Sequence, residues 1–274
     1  MHRLAVCSWS LRPRSVAELV ARVRECGLRA MQIALDPVRE GLLPEPELVR
    51  ACARQDLVLV SGMMAMAGED YGTLDSIRVT GGVRPDATWP ANLANARANA
   101  ALARRLGLRL VTFHAGFLPH ARSDPERARM LERLRVLAEV FAEQQVGVAF
   151  ETGQEDAATL LEVLRDLDGL AGVNFDPANM LLYGMGDPVA ALRLLAPHVR
   201  QVHVKDALPA PTKATWGREV PVGTGGVDWA SFAAVLRERV SDVDLCFERE
   251  AGESRVADVA AGLRFLRPLL PRAR

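Results

Sequence analysis

Apolar positions along this chain follow two rhythms. Short, nearly unbroken runs of Val, Leu, Ala and Phe recur, and between them apolar residues return every three or four positions. The first pattern is that of parallel strands covered on both faces, the second that of amphipathic helices. Strands are predicted over residues 4–9, 30–35, 57–62, 108–114, 147–151, 172–176, 199–205 and 243–248. Helices are predicted over 15–26, 46–55, 92–106, 125–144, 156–167, 187–195, 229–240 and 256–266. Gly27 and Gly107 stand just past two helix ends, and Asp187-Pro188 supplies an N-cap followed by Pro at the first helical position. Eight strands alternating with helices predict one α/β domain over 1–274, a (β/α)₈ TIM barrel. An open doubly wound sheet is the alternative and usually needs fewer strands. Two stretches break the rhythm, 63–90 and 207–228. Both exceed the usual βα connection of about 2–6 residues. Both are expected to cover the mouth of the barrel, the first docked through Tyr71 and Trp89.

In such a barrel the chemistry sits at the C-terminal ends of the strands. Residue parity along the seventh strand, Arg200-Gln-Val-His-Val-Lys-Asp206, puts Val202 and Val204 on one face and His203 and Lys205 on the other. The strands reaching Glu151, Asp176 and Glu248 have the same design. Three carboxylates and one imidazole therefore share strand ends. That donor set suits a hard divalent ion, Mn²⁺ best, with Mg²⁺, Co²⁺ or Zn²⁺ as further fits. Taken singly, each of these residues would equally serve as an ion-pair partner or helix cap.

Composition narrows the function. Lys plus Arg and Asp plus Glu both count 34, so no excess positive charge is available for a polyanion such as nucleic acid. Cys7, Cys26, Cys52 and Cys246 lack the spacing of a zinc knuckle or disulfide framework. No apolar run reaches the roughly 18 residues of a membrane span. The chain opens directly into a strand without a signal-peptide pattern. The expectation is a cytoplasmic enzyme with no nucleic-acid or membrane partner, leaving a homodimer or homotetramer open.

Four motifs, Phe150-Glu-Thr-Gly-Gln154, Phe175-Asp-Pro-Ala-Asn179, His203-Val-Lys-Asp206 and Val222-Gly-Thr-Gly-Gly-Val-Asp-Trp229, resemble the xylose isomerase-like superfamily. The nearest likeness is to sugar phosphate isomerase/epimerase proteins, and more distantly to ketose 3-epimerases. The resemblance implies one divalent metal held by Glu151, Asp176, His203 and Glu248. It also implies that Glu151 and Glu248 move the substrate proton through a metal-stabilised enediolate. The implied substrate is a ketose or related keto-sugar, free or phosphorylated. The alternative keeps the proton abstraction and ends in elimination, as a lyase or dehydratase on a keto-glycoside or inositol-type compound.

Two departures from the ketose 3-epimerase pattern bear on the substrate. Asn179 stands where that subgroup carries a histidine, and Lys205-Asp206 where it has Gly-Glu. Lys205 could pair with Asp206, Glu250 or a ligand carboxylate, or reach a substrate oxygen or phosphate. His114, inward at the end of the fourth strand, reads as a hydrogen-bonded neighbour of the metal or a substrate contact. Its sharper reading is an extra metal ligand, as in the related apurinic endonuclease branch. With five histidines in the chain, three of them away from strand ends, a three-zinc site cannot be assembled. Trp9 is expected either as an apolar wall against the sugar or as a barrel plug. Gln154 and Arg218 complete the expected substrate contacts, Gln154 from the loop after Glu151 and Arg218 by resemblance to a substrate-touching arginine.

Overall fold

A computed structural model describes residues 2–212, 215–240 and 242–270. Residues 213–214, inside the second predicted loop, lie outside that range. Eight strands close into a parallel barrel: β1 (Arg3–Cys7), β2 (Ala30–Ala34), β3 (Val58–Met63), β4 (Leu110–Phe113), β5 (Gly147–Glu151), β6 (Ala171–Phe175), β7 (Val199–Val204) and β10 (Asp244–Phe247). β10 pairs with both β7 and β1, which closes the ring.

Helices α1 (Val16–Glu25), α3 (Glu45–Gln55), α5 (Trp89–Arg105), α6 (Pro125–Glu143), α7 (Ala157–Asp166), α9 (Pro188–Leu195), α10 (Trp229–Arg239) and α11 (Arg255–Leu266) surround it. The main core lies between strands and helices, and includes Phe113, Phe150, Phe175, Phe232 and Phe247. Inside the barrel a separate small cluster, Ala5, Cys7, Ala30 and Cys246, fills the floor beneath Trp9. All four cysteines are free and buried. No described helix is long and apolar enough to cross a membrane.

The structure adds three helices to the predicted pattern, each short. The chain turns directly from β2 into α2 (Leu35–Arg39), where residue 35 was expected to end a strand. Within 63–90 lies α4 (Leu74–Thr80), started by a reciprocal Thr73–Ser76 capping box. It buries only Leu74 and Ile77, too few apolar positions for a clear period. α8 (Pro177–Tyr183) follows β6 without a loop, because Asp176 is its N-cap and Pro177 its first residue. The second long stretch contains an antiparallel hairpin, β8 (Asp206–Leu208) with β9 (Arg218–Val220). Trp9, expected to end the first strand, instead sits in a 3₁₀ turn over Ser8–Leu11.

Both long stretches are tied down at the mouth. Arg133 of α6 donates to the carbonyls of Val83 and Arg84, 2.9 Å each. Asp206 accepts from the backbone N–H of Gly223, Gly225 and Val227 and from Trp229 Nε1 at 2.9–3.2 Å, which folds residues 221–229 around one carboxylate.

Candidate metal centre

Four side chains from four neighbouring strand ends meet at the top of the barrel. One ligand atom each from Glu151, Asp176, His203 and Glu248 lies within 4.8 Å of all the others, and all four residues are buried. His203 Nδ1 is 3.4 Å from Glu151 Oε1, 3.4 Å from Glu248 Oε2 and 3.9 Å from Asp176 Oδ2.

The orientation of the imidazole is set from below. Gln32 uses its amide nitrogen on Gly62 O and Thr112 Oγ1, and His203 Nε2 sits between Gln32 Oε1 at 2.8 Å and Asn174 Nδ2 at 3.0 Å. His203 Nδ1 is thereby turned to the carboxylates and is buried without a hydrogen-bond partner. Asp176 is divided in the same way. Its Oδ1 caps α8 by accepting from Ala178 N and Asn179 N, while its Oδ2 is buried without a hydrogen bond. Two buried atoms without hydrogen-bond partners, 3.9 Å apart and beside two further carboxylates, fit a divalent cation. A second layer of hydrogen bonds holding each ligand in place is what such sites require. Three carboxylates and one histidine favour Mn²⁺ or Mg²⁺ over a thiolate-binding metal.

Without a cation the cluster is electrostatically crowded. Burial penalises every charge here, but the Glu151 and Glu248 carboxylates outweigh it at His203 and hold that imidazole well above its ordinary value. Burial also drives Asp176 up, beyond what Lys205 offsets. Glu248 resists burial and stays well below the usual carboxylate range because Lys205 and His203 face it. Glu151 is held down by His114 and His203.

The remaining predicted site residues divide into those on the cavity and those away from it. A cavity of about 620 Å³ opens above the cluster, with Trp9, His114, Asn179, Lys205 and Glu248 in its wall. Trp9 Nε1 donates to Glu248 Oε1 at 2.6 Å, and its ring centroid lies 5.9 Å from that of His203. Lys205 Nζ bridges Glu248 Oε2 at 2.9 Å and Glu250 Oε2 at 2.7 Å, so its partners are those two carboxylates and not Asp206. Asn179 Nδ2 donates to Glu151 Oε1 at 2.7 Å. His114 Nε2 stands 3.6 Å from Glu151 Oε1, outside the four-ligand cluster.

Arg218 is exposed and does not line the cavity; its neighbour Glu219 does, because successive residues of β9 point to opposite sides. Gln154 is buried in the turn after β5 and is absent from the cavity wall.

Sequence reasoning passed over Gln32, Asn174 and Gln201. Asn174 Nδ2 lies 3.0 Å from His203 Nε2 and 3.4 Å from Glu151 Oε2, and Gln201 Nε2 donates to Asn174 Oδ1. Parity was the available signal: Asn174 is two residues before Asp176, and Gln201 two before His203. The long stretches supply further wall residues, Glu69 and Tyr71 from the first and Trp216 and Glu219 from the second.

No curated protein matches the sequence. The chain is 30% identical to a xylose isomerase domain protein from Planctomyces limnophilus, with a TM-score of 0.87, covering 98% of this chain and 97% of that one. The probable 3-DHS dehydratase of Bacillus anthracis superposes with a TM-score of 0.72 at 19% identity, covering 97% and 98%. The 3-keto-D-glucoside 4-epimerase of E. coli does so at 0.72 and 15%, covering 98% and 100%. These two share the fold. The profile described as xylose isomerase-like TIM barrel matches residues 20–269. The chain belongs to the xylose isomerase-like TIM-barrel family.

Proposed function

We propose that this protein is a divalent-metal-dependent sugar isomerase or epimerase that moves a proton at the carbon beside a carbonyl. The observation that carries the reading is the convergence of Glu151, Asp176, His203 and Glu248, with Asp176 Oδ2 and His203 Nδ1 buried without hydrogen-bond partners. These four residues would hold the metal, which when bound supplies Lewis-acid charge beside the substrate oxygens that become negative.

Glu151 and Glu248 are the proton-moving pair. Their strands, β5 and β10, flank β6 and β7 in the ring, and each brings a carboxylate oxygen to 3.4 Å from His203 Nδ1; a substrate carbon held between the two would meet a carboxylate on each face. One takes the proton and the other returns one, which inverts the centre. Asn179 holds Glu151 through Oε1, and Trp9 and Lys205 hold Glu248 through Oε1 and Oε2, which fixes both carboxylates at the rim of the metal site. Lys205, with His203, holds Glu248 in its ionised form, so this carboxylate starts without a proton.

The related folds include both an epimerase and a dehydratase. Elimination is the second reading. It is favoured by Lys205, an ammonium on the cavity wall that could donate a proton to a departing oxygen.

Both readings are tested by loading purified protein with Mn²⁺, counting bound metal, and following deuterium uptake from D₂O into a panel of ketoses and keto-glycosides. One metal per chain with solvent deuterium in an epimeric product supports the first. Deuterium uptake accompanied by an unsaturated product supports the second. Neither metal nor exchange would remove both.

A further inference from the structure

We infer that the cavity takes an uncharged glycoside, a keto-sugar carrying a second ring or aglycone, and not a sugar phosphate. This rests on the proposed reaction for the inner part of the cavity and concerns what occupies the outer part.

Three observations carry it. The first is charge. The described wall contains five carboxylate residues and one ammonium, Lys205, which already lies within 3 Å of Glu248 and Glu250. Among the described residues, a phosphate dianion entering there would meet no uncommitted cation on the wall. Arg218, the arginine closest in sequence to the wall residue Glu219, is exposed and turned away.

The second is the filled cradle. (β/α)₈ barrels frequently bind phosphate on the loops after the seventh and eighth strands. In this chain the glycine-rich loop after β7 has that form, but an internal anion sits in it. Asp206 accepts the N–H groups of Gly223, Gly225 and Val227 and the indole N–H of Trp229. Gly225 approaches so closely that an added Cβ would overlap Asp206 Oδ1. The donors that a phosphate would need are consumed, and so are the first N–H groups of α8, which Asp176 takes.

The third is size and surface. At about 620 Å³ the cavity falls among sites that enclose a ligand of drug size, roughly 300–1,000 Å³, and exceeds what one six-carbon sugar fills. Part of its wall is aromatic: Tyr183 and Trp216 have ring centroids 4.9 Å apart, and both line the cavity together with Leu182 and Met63, while neither belongs to the four-residue cluster. Such flat aromatic faces suit the apolar face of a second ring.

Calorimetric titration of the Mn²⁺-loaded protein tests this with four probes: D-fructose, D-fructose 6-phosphate, methyl 3-keto-β-D-glucoside and phenyl 3-keto-β-D-glucoside. The phenyl glucoside should bind about ten-fold more tightly than the methyl one, a plausible yield for one stacked ring. The 6-phosphate should bind no better than D-fructose. Trp216→Ala, and separately Tyr183→Ala, should shrink the ratio of phenyl to methyl glucoside affinity to under about two-fold. Tighter binding of the phosphate, equal binding of the two glucosides, an advantage untouched in both variants, or no binding by any probe overturns the inference. Deuterium uptake in the same samples separates the two claims. Ring preference without uptake keeps this inference and removes the proposed reaction; uptake into D-fructose with no ring preference does the reverse.

Discussion

Glu151 and Glu248 are the same residue type at equivalent strand ends, yet their surroundings differ. Glu248 faces an ammonium, and Glu151 faces an amide and two imidazoles. Glu→Gln at either should lower kcat by about 10²–10⁴-fold with the metal retained, since the amide keeps a ligand oxygen but cannot accept a proton. The two variants should part in solvent exchange. The residue that removes the first proton abolishes deuterium uptake when changed; its partner leaves uptake but blocks the epimer. Near-normal turnover in both variants at full metal occupancy would reject the pair. A third glutamate acts on stability. Burial, aided by the Asp156 charge, pushes the Glu155 carboxyl from its ordinary 4.5 up to about 8. The folded protein then holds more protons than the unfolded chain between those values, so this group's stabilisation is complete below 4.5 and is lost as pH rises to about 8. Glu155→Gln should flatten that decline and melt above the parent at pH 9. Melting curves from pH 5 to 9 with equal slopes for the two proteins would contradict it.

At the scale of elements, the turn between β5 and α7 supports α8. Gly153 has φ +133°, and a Cβ there would run into Asn179. Gly153→Ala should therefore cost about 1–3 kcal/mol of stability, as strained backbone does, and displace the Asn179 amide from Glu151. Denaturant unfolding measures the first effect, and the activity lost beyond that of Asn179→Ala measures the second. The eight barrel strands and their helices were legible because apolar runs and period 3.6 are strong signals over ten or more residues. α2, α4 and α8 are five to seven residues long and leave no such period. α8 nevertheless had a readable start in Asp176-Pro177, the same pairing that marked Asp187-Pro188. The four cluster residues were legible from parity together with their place at strand ends, and from the family motifs that contain three of them. Arg218 was not, since its direction depends on a hairpin whose second strand is three residues long and pairs only locally.

Across the whole molecule, the proposed metal would be a structural brace as well as a reagent, because its four ligands come from β5, β7 and the ends of β6 and β10, a contiguous half of the barrel ring. Apo protein leaves buried carboxylates facing one another across His203, with the Lys205 ammonium beside them. A ligand present at about one hundred times its Kd stabilises the native state by about 2.7 kcal/mol. At roughly 2–4 °C per kcal/mol for a chain of this size, Mn²⁺ should raise Tm by about 5–10 °C and chelation should reverse it. Asp176→Asn separates the two duties of that residue. The amide oxygen can still cap α8, so the metal-free Tm should stay near that of the parent, while the Mn²⁺-dependent rise should shrink. Asp176→Ala loses the cap as well and should melt lower with or without metal, by about 1 kcal/mol for the missing cap. A full Mn²⁺-dependent rise in both variants would mean that the ion binds elsewhere, and the four-strand centre would have to be given up.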